Sequence, residues 1–163
     1  MKLHRLYFLI AILFVSLSAA KAQDKSVNGV LTAYFALKND LVADNGATAK
    51  THATELAAAI KAVPADKIPV EQLPAWKKVA LSTTRIGEAK DIDGQRDYFA
   101  ILSDNMIVVT KALKANAVPV YQQYCPMKKV SWLSEAAAIK NPYYGKQMLT
   151  CGQVTETLAA ATK

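Results

Sequence analysis

From Val27 to Val42 the apolar residues Val27, Val30, Leu31, Tyr34, Phe35, Leu41 and Val42 return at steps of three and four. That period places them on one face of a helix. Asp44-Asn45-Gly46 then interrupts the pattern with turn formers. A second, alanine-rich helix carries Ala49, Ala53, Leu56, Ile60 and Val63 along one side and stops at Pro64. Prolines at 64, 69 and 74 make the next stretch a loop, with Pro74 tolerated in the first turn of the helix that follows. The third helix runs from about Pro74 to Ala89 with Trp76, Val79, Ala80, Thr83 and Ile86 inward. After a break at Asp91 and Asp93-Gly94, a fourth helix sets Ile92, Gln95, Phe99, Leu102, Met106, Val109 and Leu113 in a heptad-like seam. Short connections force consecutive helices to be neighbours, which predicts an antiparallel up-and-down four-helix bundle.

The last third differs in kind. Val120 to Met127 is rich in strand formers and interrupted by Pro126, and reads as an extended segment. Ser131-Trp132-Leu133 reads as a second short extended piece, with Ser134 capping one turn through Ala138. Asn141-Pro142 to Gly145 reads as a tight turn. A short terminal helix is expected from about Lys146 to Ala160, weakened by Gly152. The fold class expected from the pattern is therefore all-α: a four-helix bundle with a C-terminal extended segment and a short helix.

The amino terminus changes the picture of where the protein works. A basic head, Met1 to Arg5, precedes an apolar run from Leu6 to Leu17 and the small-residue pair Ala20 and Ala22. These are the parts of a cleavable secretory signal, so residues 1–22 are expected to be removed and 23–163 to form one domain. The apolar run is shorter than the roughly 20 residues of a membrane-spanning helix. No membrane anchor is expected after cleavage, and the mature chain is expected to be exported. Loss of Lys2, Arg5 and Lys21 takes the net charge from +7 to about +4. The remaining lysines are scattered, which argues against nucleic acid as a partner.

The chemistry is concentrated in sulfur. The two cysteines, Cys125 and Cys151, each have a methionine close by, in Cys125-Pro126-Met127 and Met148-Leu149-Thr150-Cys151. On an extended chain residues two apart share a face, and on a helix residues three apart do. If the two segments meet, four sulfur donors converge. Thiolate and thioether ligands select soft ions such as Cu(I), whereas zinc favours cysteine, histidine and carboxylate. The competing reading is one structural disulfide, ordinary for two cysteines in a secreted domain, which would stabilise the fold by about 3 kcal/mol. The residues leave both readings open.

Other candidates carry less. Met106 belongs to the seam of the fourth helix and reads as core. His52, the one histidine after cleavage, reads as solvated or partly packed, with a fifth ligand as the alternative. Trp132, Tyr143 and Tyr144 read as packing over the bundle's end. No nucleophile elbow, zinc-protease motif, phosphate loop or C-x-x-C pair occurs, so no catalytic residues are assigned and an enzyme is not expected.

The blocks Val120-Tyr121-Gln122-Gln123-Tyr124-Cys125-Pro126-Met127, Trp132-Leu133-Ser134, Ile139 to Gly145 and Met148 to Gly152 resemble the domain of unknown function 3347 family. So do Tyr34 to Lys38 with Leu41-Val42, and Gln95-Arg96 with Phe99, Leu102 and Ser103. Members of that family occur as small exported proteins and as C-terminal extensions of periplasmic adaptor subunits of heavy-metal efflux systems. The resemblance implies a soft-metal role, with Cys125, Met127, Met148 and Cys151 as ligands of Cu(I) or a similar ion and efflux components as partners. A disulfide-stapled periplasmic interaction module that holds no metal is the rival expectation.

Overall fold

The computed structural model describes residues 27–114 and 116–161; the expected signal peptide lies outside them. Four helices come first: α1 (Val27–Val42), α2 (Gly46–Ala62), α3 (Leu73–Glu88) and α4 (Ile92–Leu113). Their ends follow local chemistry. Asn45 caps α2 by accepting from the Thr48 N–H at 3.2 Å, and Asp91 caps α4 by accepting from the Gly94 N–H at 2.8 Å. Such side-chain caps satisfy amides that have no partner within the helix. Val63, just before Pro64, turns extended and closes α2. Consecutive helices pack on one another, α1 on α2, α2 on α3 and α3 on α4, as short connections require. The shared core contains Leu31, Tyr34, Leu37, Leu56, Val79, Ile86, Phe99, Leu102 and Met106.

The all-α expectation is corrected by the C-terminal third. Three strands, β1 (Val120–Cys125), β2 (Val130–Ser134) and β3 (Gln153–Leu158), form an antiparallel sheet in the order β2-β1-β3. The two extended pieces expected are β1 and β2. The terminal helix expected over 146–160 is instead a 3-10 turn at Gly145–Met148 followed by β3. Gly152, with φ at +153°, stops the turn from propagating, and the β-branched Val154, Thr155 and Thr157 then satisfy the free edge of β1. Ser134 does not start a helical turn; its Oγ accepts from the Ala136 N–H at 3.3 Å in a single local turn.

The sheet is fastened to the bundle by polar contacts as well as by Trp132 and Leu133, both fully buried. Tyr34 on α1 shares a hydrogen bond with Ser103 on α4 at 2.7 Å and accepts the Leu133 N–H of edge strand β2 at 3.2 Å. Buried Lys38 donates to Glu135 at 2.7 Å and to Ser134 at 3.3 Å, at the end of the same strand. Burial lowers the Lys38 ammonium from its ordinary range. Burial works to raise the Glu135 carboxyl, but the hydrogen bonds from Lys38 and Asn39 outweigh it and hold that carboxyl low.

Candidate functional site

Cys125 is the last residue of the central strand β1, opposite Val130 of β2. The chain turns back at once, with Lys129 at φ +58° and its N–H bonded to the Cys125 carbonyl at 2.8 Å. On the other side β1 pairs with β3 as far as Tyr124 opposite Gln153. Cys151 therefore arrives two residues ahead of β3, level with the end of β1. Gly152 permits the approach: a Cβ there would lie 2.9 Å from the Trp132 ring and 3.0 Å from the Tyr124 carbonyl oxygen.

The result is a pair of free thiols with their sulfurs 4.0 Å apart. Cys125 is fully buried and Cys151 partly exposed. Burial, and after it the hydrogen bond and proximity of Cys125, push the Cys151 thiol up, while a hydrogen bond from the Met127 N–H pulls it down. The net direction keeps Cys151 protonated at neutral pH, so a metal ion taken up there would displace its proton.

The loop from Glu135 to Cys151 is held at three points, and these fix where Cys151 sits. Gln123 of β1, itself fully buried, gathers the carbonyls of Ala136, Ala137 and Ala138 at 2.9, 3.2 and 3.3 Å. Asn141, also fully buried, donates its Nδ2 to the Cys151 carbonyl at 2.6 Å and accepts the Tyr143 N–H at 2.8 Å. Its own N–H meets the Leu149 carbonyl at 2.8 Å. The third hold is Arg96 on α4, which donates to the Pro142 carbonyl at 3.0 Å, the Leu41 carbonyl at 3.1 Å and Asp44 at 2.5 Å. Asp44 also accepts the Lys146 N–H at 3.1 Å. That backbone bond and the guanidinium lower the Asp44 carboxyl from its ordinary range. Tyr143 packs between Phe99 and Trp132, each ring centroid 5.8 Å away, and donates to the Ser131 carbonyl at 2.8 Å.

Of the four sulfur residues expected, the structure brings Cys125 and Cys151 together. The methionines adjoin them through backbone: the Met127 N–H faces the Cys151 sulfur, and the Met148 carbonyl accepts the Cys151 N–H at 3.0 Å. Their side chains lie at the surface, 63% exposed for Met127 and 36% for Met148. Strand geometry ends at Cys125, and Met148 closes the 3-10 turn with Cys151 beyond it, so neither segment keeps strand or α-helical geometry from methionine to cysteine. Met106 is core, as expected. His52 is bonded to Asp40 and lies 3.8 Å from Glu55. Among the described residues no group of three or more His, Cys, Asp or Glu is gathered as for a metal ion. A groove of about 480 Å³ between the end of α4 and β3 is lined by Thr110, Lys111, Asn116 and Glu156 among others, and no lining residue carries sulfur. Sequence reading missed Gln123 and Lys38 as holding residues, and found Asn141 only as part of a turn expected to position the sulfurs. The one local signal was the Asn-Pro turn.

Fold and site define a small helical bundle whose C-terminal sheet and loop present a dithiol. Residues 30–117 match the profile described as protein of unknown function (DUF3347), and the chain belongs to that family. The matched stretch contains the four helices almost entirely; the sulfur-bearing blocks lie C-terminal to it. No curated protein and no solved structure matches the chain.

Proposed function

We propose that this protein binds a soft monovalent cation of the Cu(I) class between Cys125 and Cys151, as an exported, periplasmic partner of a heavy-metal efflux system. The observation that carries the reading is the 4.0 Å separation of the two sulfurs. It is less than twice a metal–sulfur bond of about 2.3 Å, so one ion can touch both. Two thiols flanked by the surface thioethers of Met127 and Met148 are a soft donor set. A four-coordinate zinc site, by contrast, takes four ligands from among cysteine, histidine and carboxylate, and among the described residues this site gathers only two, both cysteines. Export and the efflux partnership rest on the amino-terminal pattern and on the family resemblance. Among the described residues no helix is long and apolar enough to cross a membrane.

The test is a Cu(I) titration of reduced protein against a chromophoric competitor, beside the Cys151→Ser variant. Wild type is expected to bind at least about tenfold more tightly, a difference of roughly 1.4 kcal/mol. Equal affinities end the proposal. The rival reading, an interaction module stapled by a disulfide, draws support from the exposed apolar residues Leu81, Tyr98 and Ile101 that line one groove between α3 and α4. Alkylation without prior reduction, followed by intact mass, tells whether the two cysteines are bridged, and the Cu(I) titration of reduced protein decides between the two readings.

A further inference from the structure

We propose that Cys151 is a site of S-thiolation by small-molecule disulfides, and that Cys125 resolves the adduct into a Cys125–Cys151 bridge that removes both sulfurs from cation binding. The asymmetry of the pair carries this. Cys125 is fully buried at the end of a strand paired on both sides, whereas Cys151 is partly exposed in a loop between a 3-10 turn and Gly152. A dissolved disulfide reaches only Cys151. Once it has reacted there, the Cys125 sulfur already stands 4.0 Å from the electrophilic one, and closing to the covalent distance of about 2.05 Å asks only the loop to move.

The chemistry balances as two exchanges. The Cys151 thiolate attacks one sulfur of the small disulfide RSSR, forming Cys151–S–S–R and expelling RS⁻. The Cys125 thiolate then attacks the Cys151 sulfur, forming the protein disulfide and expelling the second RS⁻. The two protons given up by the cysteines pass through water to the two expelled thiolates. The protein sulfurs are oxidised by two electrons and the small disulfide is reduced to two thiols.

The loss of cation binding on oxidation rests on the proposed function; the order of attack does not. The probe is oxidised glutathione added to reduced, full-length protein, with intact mass followed over time. Wild type is expected to lose two hydrogens and hold no lasting adduct. Cys125→Ser is expected to accumulate one glutathione, and Cys151→Ser to react at least about tenfold more slowly, since surface exposure governs access. Cys125→Ala serves as a second buried variant, and circular dichroism checks that each variant is folded. Equal rates for the two single variants, or a stable adduct on wild type, overturn the proposed order. Cu(I) titration of the bridged protein tests the consequence: undiminished binding overturns the switch. If reduced protein binds no Cu(I) while the ordered thiolation proceeds, the cation reading fails and the modification site stands.

Discussion

The tether between Asn141 and Cys151 can be tested by a near-isosteric change, Asn141→Asp. The side chain is fully buried and its partners are two backbone groups. The substitution keeps an oxygen to accept the Tyr143 N–H but replaces the Nδ2 donor, 2.6 Å from the Cys151 carbonyl, with a second oxygen. Leaving that carbonyl without its donor costs about 1 kcal/mol or somewhat more. The greater cost is electrostatic. A buried carboxylate set against a carbonyl has its pKa raised above the unfolded value of about 3.9, and a rise of about two units is worth roughly 3 kcal/mol. Since the folded pKa is the higher one, this cost is absent below the unfolded value. It grows as pH rises between the two values and is fully present above the folded one. Below pH of about 4 the carboxyl is protonated and can donate to Cys151 again. Urea unfolding followed by circular dichroism is therefore expected to show a deficit of about 4 kcal/mol against wild type at pH 7, a large part of a typical 5 to 15. At pH of about 3.5 that deficit should shrink to about 1 kcal/mol or less. A deficit that is small at pH 7, or the same at both pH values, refutes the reasoning.

Two further substitutions probe the other holds. Gly145→Ala puts a Cβ at a backbone φ of +54°, 1.8 Å from the Asp44 carboxylate and 2.6 Å from the Arg96 guanidinium; the strained conformation and the displaced ion pair together should cost about 3 kcal/mol, read as a fall in Tm of about 10 °C. Tyr34→Phe strips the Leu133 N–H of its acceptor and Ser103 of its partner, with an expected loss of about 2 kcal/mol and faster hydrogen exchange at the Leu133 amide.

The helices were legible because their apolar period repeats over three turns or more, and the seam of α4 was read nearly residue by residue. Strand β3 was not, for a physical reason. Its residues from Gln153 to Thr157 are all exposed, so no alternation of apolar and polar positions marks it, and it is a strand because β1 offers an unpaired edge. Lys38 was unreadable in another way: a lysine inside a helix pattern belongs outside until Glu135, 97 positions later, supplies its partner. The meeting of the two cysteines followed from no local rule either. Pro126 marked Cys125 as extended, but what carries Cys151 to it is the register of β3 on β1 together with the loop that Gln123, Asn141 and Arg96 hold. Strand and α-helical spacing do not govern the methionines, because Met127 follows the end of β1 and Met148 closes a 3-10 turn.

Tyr34, Lys38, Asp44, Arg96 and Ser103 all lie within residues 30–117, yet between them they bind Leu133, Glu135, Pro142 and Lys146, all outside it. A bundle that stood alone would leave Arg96, a buried cation, without the Pro142 carbonyl, and Lys38, a buried ammonium, without its carboxylate. The loss at Lys38 is the costlier, because Arg96 keeps the Asp44 carboxylate within the helical part whereas the Lys38 ammonium loses the carboxylate that pairs it. The helical part is thus built to receive a C-terminal partner, and the sulfurs sit on what it receives. Distortion at Arg96 reaches Cys151 through Pro142 and the adjoining Asn141, so the spacing of the two thiols depends on contacts made from inside the bundle.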